Sequence, residues 1–114
     1  MSVLNALEYD VICDILEKSS LHWRVLANDY PEIVLDRTMT GVGINTSFKR
    51  DERLHVSSKR GGQAIGDTLV MLNGTTEVEF FLKLEDGFIS WMEGYVFGDD
   101  QWPDSITGYK IDYQ

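Results

Sequence analysis

The chain has 114 residues, a mass of 13.0 kDa and a formal net charge of −9 at pH 7. One domain over residues 1–114 is expected, because most domains have about 100–150 residues and the 43% hydrophobic content is too high for intrinsic disorder. No apolar run approaches the ~18 residues of a membrane helix, and the acidic balance disfavours binding to nucleic acid phosphates. We therefore expect neither a membrane nor a nucleic acid as partner.

The first predicted element is an N-terminal helix. Asn5 and Glu8 have the spacing of a capping box, and apolar residues then recur at helical spacing as far as Leu16. Cys13 falls away from that apolar stripe, so we expect a partly exposed, inert thiol. A single cysteine cannot form an internal disulfide, which fits a reducing compartment and a cytoplasmic protein.

Further along the chain, two glycines interrupt a strand-like segment. Gly41 and Gly43 lie on one face of it, which indicates strong curvature or close approach of another segment. A short strand is also predicted over residues 54–57, within a basic segment.

Two turn sequences then predict consecutive hairpins. A two-residue turn at Asn73 and Gly74 sets Leu69 opposite Val78 and Ile65 opposite Leu82. Together with the helix, these elements predict an α+β fold, in which the N-terminal helix packs on a curved antiparallel β-meander of about four to five strands.

The second turn, Asp86–Gly87, determines which residues of the last hairpin face the core. It predicts three cross-strand pairs: Leu84 with Ile89, Leu82 with Trp91, and Phe80 with Glu93. This register places the Glu93 carboxylate on the apolar face, where it is costly. We favour a bulge at Glu93 and Gly94 that turns Glu93 outward, and a hydrogen-bonded Glu93 in the core is the alternative.

The segment after this hairpin joins an aromatic residue to several acids. Trp102 either packs back on the domain or is an exposed aromatic anchor with carboxylates around it, the composition of a binding hot spot. The charge of the chain is also uneven, since residues 37–60 carry +4 and residues 61–114 carry −8. The acidic C-terminal part therefore favours a basic partner.

Two stretches resemble a loose family of small bacterial immunity proteins, which accompany polymorphic and contact-dependent growth inhibition toxins. The first is TGVG at residues 40–43, after Arg37, and the second is LEDGFISWMEGYVFGDDQWPD at residues 84–104. The sequence departs from the family pattern at Ile44, Met92 and Phe97. The resemblance implies an α+β domain without catalysis, which neutralises a toxin.

On this hypothesis, the chain binds a cognate toxin domain, most plausibly a basic nuclease, and occludes its active site with an acidic surface. The residues predicted to contact the partner are carboxylates and two aromatic anchors: Glu85, Asp86, Glu93, Tyr95, Asp99, Asp100, Trp102 and Asp104.

Other functions have less support in the sequence. His22 and His55 are in no recognisable triad or metal-ligand spacing, so we predict no catalytic residue, no metal and no cofactor. The alternative hypothesis is a non-enzymatic regulatory module that binds a small ligand or a partner subunit, with the groove at Gly41 and Gly43 as its site.

Overall fold

The computed structural model describes residues 1–112, in which one α-helix packs on a six-stranded antiparallel sheet. The single domain predicted over residues 1–114 includes Tyr113 and Gln114, which lie outside the described residues. The elements in chain order are α1 (Ala6–Lys18), β1 (Val34–Met39), β2 (Gly43–Phe48), a 3-10 helix (Glu52–Leu54), β3 (Gly62–Leu72), β4 (Thr76–Glu85), β5 (Phe88–Val96) and β6 (Tyr109–Ile111). The predicted α+β class is confirmed, with slightly more strands than expected.

The predicted start of helix α1 is confirmed. The Asn5 side chain accepts a hydrogen bond from the Glu8 amide at 2.8 Å, and the Glu8 carboxylate accepts one from the Asn5 amide at 2.9 Å. These bonds satisfy two backbone donors that a helix start leaves free.

No helix within residues 1–112 has the length and apolar character needed to cross a bilayer.

The strands are arranged in the order β1-β2-β5-β4-β3-β6. Consecutive strands pair at every step except two: β2 lies beside β5, and β6 returns to the outer edge of β3. The connection over residues 49–61 therefore carries the chain from β2 to β3 across the ends of β4 and β5.

The register predicted for the last hairpin is correct next to the turn and wrong further from it. Leu84 pairs with Ile89 as predicted, but Ser90 is an extra residue, so Leu82 pairs with Met92 and Phe80 with Gly94. Because neighbouring residues of a strand face opposite sides, this bulge moves Trp91 and Glu93 away from the core. The outward direction predicted for Glu93 is right, although the bulge lies at Ser90.

The first hairpin is also shifted near its turn. Its loop has three residues rather than two, because Leu72 pairs with Thr76, and Leu69 therefore pairs with Glu79 instead of Val78. A second irregularity between Ile65 and Thr68 restores the predicted pairing of Ile65 with Leu82.

The strand predicted over residues 54–57 is wrong. The chain there leaves a 3-10 turn and makes a single bridge between His55 and Phe88.

The core lies between α1 and one face of the sheet. Phe80 is 1% exposed, and its ring occupies the space above Gly94, where any side chain would collide with it. Trp102 packs edge-on against the same ring, with 5.9 Å between centroids. Other buried apolar side chains include Val11, Ile12, Ile15, Leu16, Phe48, Val70, Leu72, Val78, Leu82, Leu84, Ile89 and Met92.

Candidate functional site

The side of the sheet that faces away from α1 carries an unusual set of residues, and we call it the open face. Its centre comes from the outward positions of β3, β4 and β5 and from the residue that follows β5. The aromatic and apolar members are Leu69, Met71, Phe81, Trp91, Tyr95 and Phe97, and the acidic members are Glu77, Glu79 and Glu93.

Cross-strand pairing places rings and carboxylates side by side on this face. Tyr95 lies opposite Glu79, and Phe81 lies opposite Glu93. The rings of Phe81 and Tyr95 meet edge-on with 6.5 Å between their centroids, and those of Tyr95 and Phe97 do so at 6.1 Å. The rings therefore form a continuous row across β4 and β5.

Tyr95 is the polar centre of this row. Its hydroxyl donates a hydrogen bond to the Glu79 carboxylate, and Asp67 and Glu93 are close enough to act on it electrostatically. The hydrogen bond, partial burial and these carboxylates raise the pKa of Tyr95 to about 12, because each of them disfavours the phenolate anion. Three carboxylates therefore act on the Tyr95 phenol at the centre of the open face.

Trp91 forms one corner of the open face. Its side chain is 38% exposed, and the Lys83 ammonium group lies 5.5 Å from the centroid of its ring. This geometry is a cation–π contact with a cation of the same chain. Phe97, at the other end of the row, is 39% exposed.

Such a surface is uncommon on a protein that works alone. An antiparallel sheet with one face in water normally carries polar side chains there, whereas contiguous exposed apolar side chains surrounded by polar residues mark interaction sites. Aromatic rings on a rigid sheet also lose little conformational entropy when they become buried against a partner. The open face is therefore the best candidate for a protein-binding surface in residues 1–112.

The structure places only some of the predicted contact residues on this surface. Glu93 and Tyr95 belong to the open face, and Glu85 lies at its edge, at the end of β4. Asp86 lies in the adjoining turn, where its carboxylate accepts a bond from the Gly61 amide at 3.0 Å and lies 3.8 Å from Arg50. Asp86 therefore has partners within its own chain.

The other predicted acids lie at the far end of the molecule. Asp99, Asp100 and Asp104 are exposed in the segment of residues 97–108, which follows the opposite end of β5. The nine residues of β5 separate these acids from Glu85 by roughly 27 Å. The predicted residues therefore do not form one patch.

Trp102 is the clearest correction to the predicted site. The side chain is 8% exposed and lies against Phe80, while its amide donates to the Gly41 carbonyl at 3.0 Å. An anchor for a partner must be accessible before binding, so Trp102 does not serve as one. It holds the part of the acidic segment around residue 102 on the core side of the sheet.

The close approach of another segment predicted at Gly41 and Gly43 occurs at Gly43, so no groove for a ligand opens there in the described part of the chain. Gly43 faces the Gly94 carbonyl so closely that no side chain fits between them, whereas Gly41 lies in the β1–β2 turn with a φ of +85°. The glycines allow two strands to approach and the chain to turn. Within residues 1–112, no group of His, Cys, Asp or Glu side chains is arranged to hold a metal ion.

Most of the aromatic residues of the open face are not among the contact residues predicted from the sequence. Phe81 could have been found, because it stands at an outward position of β4 between Glu79 and Lys83, where the alternation calls for a polar residue. Trp91 could not, since its direction depends on the bulge at Ser90.

Comparisons with protein-family models, curated proteins and solved structures give no match to the chain.

Proposed function

We propose that this chain is an immunity protein, which binds a cognate toxin domain and blocks the toxin's active site. The observation that supports this function best is the row of Phe81, Tyr95 and Phe97 in solvent contact among the carboxylates of the open face. Residues 40–43 and 84–104 resemble immunity proteins, and this resemblance indicates that the partner is a toxin domain.

The chemistry of the open face favours a basic partner. Tyr95 and Trp91 are of the residue types that most often provide binding energy at the centre of interfaces. Glu79 and Glu93 stand beside those rings, so a Lys or Arg of the partner can contact a ring and a carboxylate at once. A nuclease is the toxin class that fits best, since carboxylates can stand in for the phosphates of its substrate.

The net charge of −9 contributes mainly to the rate of association. Complementary charge raises association rates to about 10⁸ M⁻¹s⁻¹ or more at low salt, and this gain falls as salt is added. An inhibitor of a toxin benefits from such speed, because the toxin must be captured before it reaches its substrate.

The proposed function is tested by co-expression with the toxin domain encoded in the adjacent reading frame. We expect a stable complex, restored growth, and an affinity that decreases as salt concentration rises. No complex and no protection would contradict the proposal.

A matched pair of variants separates a local contact from the effect of total charge. Glu93→Gln and Glu17→Gln each remove one negative charge, but Glu93 lies on the open face and Glu17 is exposed on α1. We expect Glu93→Gln to weaken the complex several-fold more than Glu17→Gln. Equal effects would show that only net charge matters.

A further inference from the structure

A small cavity lies on the core side of the sheet, beneath the segment that contains Trp102. Its volume is about 60 Å³, and most of its walls are apolar. Three polar side chains reach it, from Asn5, Glu8 and Thr46. The apolar lining consists of Leu7, Ile44, Phe80, Met92, Trp102 and Ile106.

Thr46 is the unusual member of this lining. It is 1% exposed, and its hydroxyl oxygen has no hydrogen-bond partner among residues 1–112. An unsatisfied buried hydroxyl is costly, and valine has almost the same shape without that cost. A threonine at this position therefore indicates a partner for the hydroxyl inside the cavity.

The neighbouring Glu8 can share that partner. Its Oε1 accepts bonds from the Asn5 amide at 2.9 Å and from Arg37 Nη2 at 2.7 Å, whereas its Oε2 accepts one bond, from Arg37 Nε at 2.7 Å. A carboxylate oxygen can accept two bonds, so Oε2 retains capacity for another donor. Arg37 is also the cross-strand neighbour of Thr46, so the ion pair and the hydroxyl share one face of the β1–β2 pair.

We infer that the cavity beneath Trp102 is a binding site for internal water, in which a water molecule bonds the Thr46 hydroxyl and donates to Oε2 of Glu8. The chemistry fits water because about 10–15 Å³ of space open to a water-sized sphere is enough for one molecule, and this cavity offers about 60 Å³. The Glu8 charge is already matched by Arg37, so a neutral guest with both donor and acceptor capacity is required.

This site joins three parts of the fold that are remote in sequence. Glu8 belongs to the start of α1, Thr46 to β2, and Trp102 to the segment that covers the cavity. The bound water extends the Glu8–Arg37 pair into a network that holds the helix start on the sheet.

Two substitutions at Thr46, each with a crystal structure and thermal unfolding, test the inference. In the wild type we expect electron density for a water within hydrogen-bond distance of Thr46 Oγ1. Thr46→Val keeps the shape, and we expect it to remove that density and lower Tm by about 4 °C. Thr46→Ser keeps the hydroxyl, and we expect it to retain the density.

Three outcomes would overturn the inference. One is a wild-type structure without water in the cavity. Another is a Thr46→Val variant with an unchanged or higher Tm, since removal of an unpartnered hydroxyl is neutral or stabilising. The last is a Thr46 hydroxyl bonded to a backbone carbonyl, which accounts for the threonine without any guest.

Discussion

Phe80 and Phe81 are adjacent in β4, yet they belong to opposite faces of the sheet. Phe80 is 1% exposed and packs against Gly94 and Trp102, whereas Phe81 is half-buried and lies on the open face opposite Glu93. The Phe80 ring on the core face therefore stabilises the fold. The open face carries aromatic rings that no other element within residues 1–112 covers, and this difference supports the proposed docking surface.

The two faces also differ in the environment of their polar groups. The core face encloses the Thr46 hydroxyl and the Glu8 carboxylate beside a small cavity, and the carboxylate is paired with the half-buried Arg37. The open face leaves Glu79 and Glu93 beside half-buried rings that still contact solvent. Substitutions in matched pairs should therefore affect either folding or binding, depending on the face.

The largest difference is expected between Phe80→Ala and Phe81→Ala. Removal of the buried ring leaves a cavity and should reduce the free energy of unfolding by about 3–5 kcal/mol. Removal of Phe81 loses only cross-strand contacts, and we expect about 1 kcal/mol or less. Urea denaturation of both variants measures these values, and equal losses would show that the open face is part of the folding core.

The two tryptophans give a second, smaller contrast. Trp102→Ala should cost about 3 kcal/mol because the indole is 8% exposed and packs on Phe80, while Trp91→Ala should cost about 1 kcal/mol or less. Fluorescence of variants that retain one tryptophan provides the check. An added quencher should reach Trp91 several-fold more readily than Trp102, and a freely quenched Trp102 would contradict the assigned burial.

The smallest predicted effect concerns the Tyr95 phenol on the open face. Its pKa of about 12 lies above the usual value of 10.0, and the Glu79 hydrogen bond is the largest cause. The stability contributed by the neutral phenol is therefore present below pH 10 and is lost as the pH rises from about 10 to about 12.

Glu79→Gln tests this cause directly. The substitution removes the charge that opposes ionisation, so the pKa of Tyr95 should fall toward its usual value. Ultraviolet absorbance of tyrosinate, compared with that of Tyr95→Phe, isolates this phenol from the others. An unchanged titration would show that Glu79 does not act on Tyr95.

The fold was predictable from the sequence where local patterns decide it. The capping box of Asn5 and Glu8 forms, and the turn at Asp86 sets the neighbouring pair of Leu84 and Ile89. Single-residue bulges limited the prediction, because a bulge such as Ser90 reverses the direction of each later side chain. The residues of the turn do not predict such a bulge.

The candidate site was predictable only in part for the same reason. Glu93 and Tyr95 were expected to contact a partner, and both lie on the open face. Trp91 was assigned to the core because its direction depends on the bulge. Trp102 remained ambiguous from sequence, since its burial depends on Phe80 and on a hydrogen bond to Gly41, residues distant along the chain.

The most direct test of the open face as the proposed docking surface is the affinity of two variants for the toxin domain used in the co-expression experiment. Tyr95→Ala removes the centre of the aromatic row, and the double variant Asp99→Asn, Asp100→Asn removes two exposed charges at the far end. We predict that Tyr95→Ala raises Kd by about 30-fold or more, as expected of a central hot spot, while the double variant raises it by less than about 10-fold. A complex that tolerates Tyr95→Ala but is lost in the double variant would contradict the account.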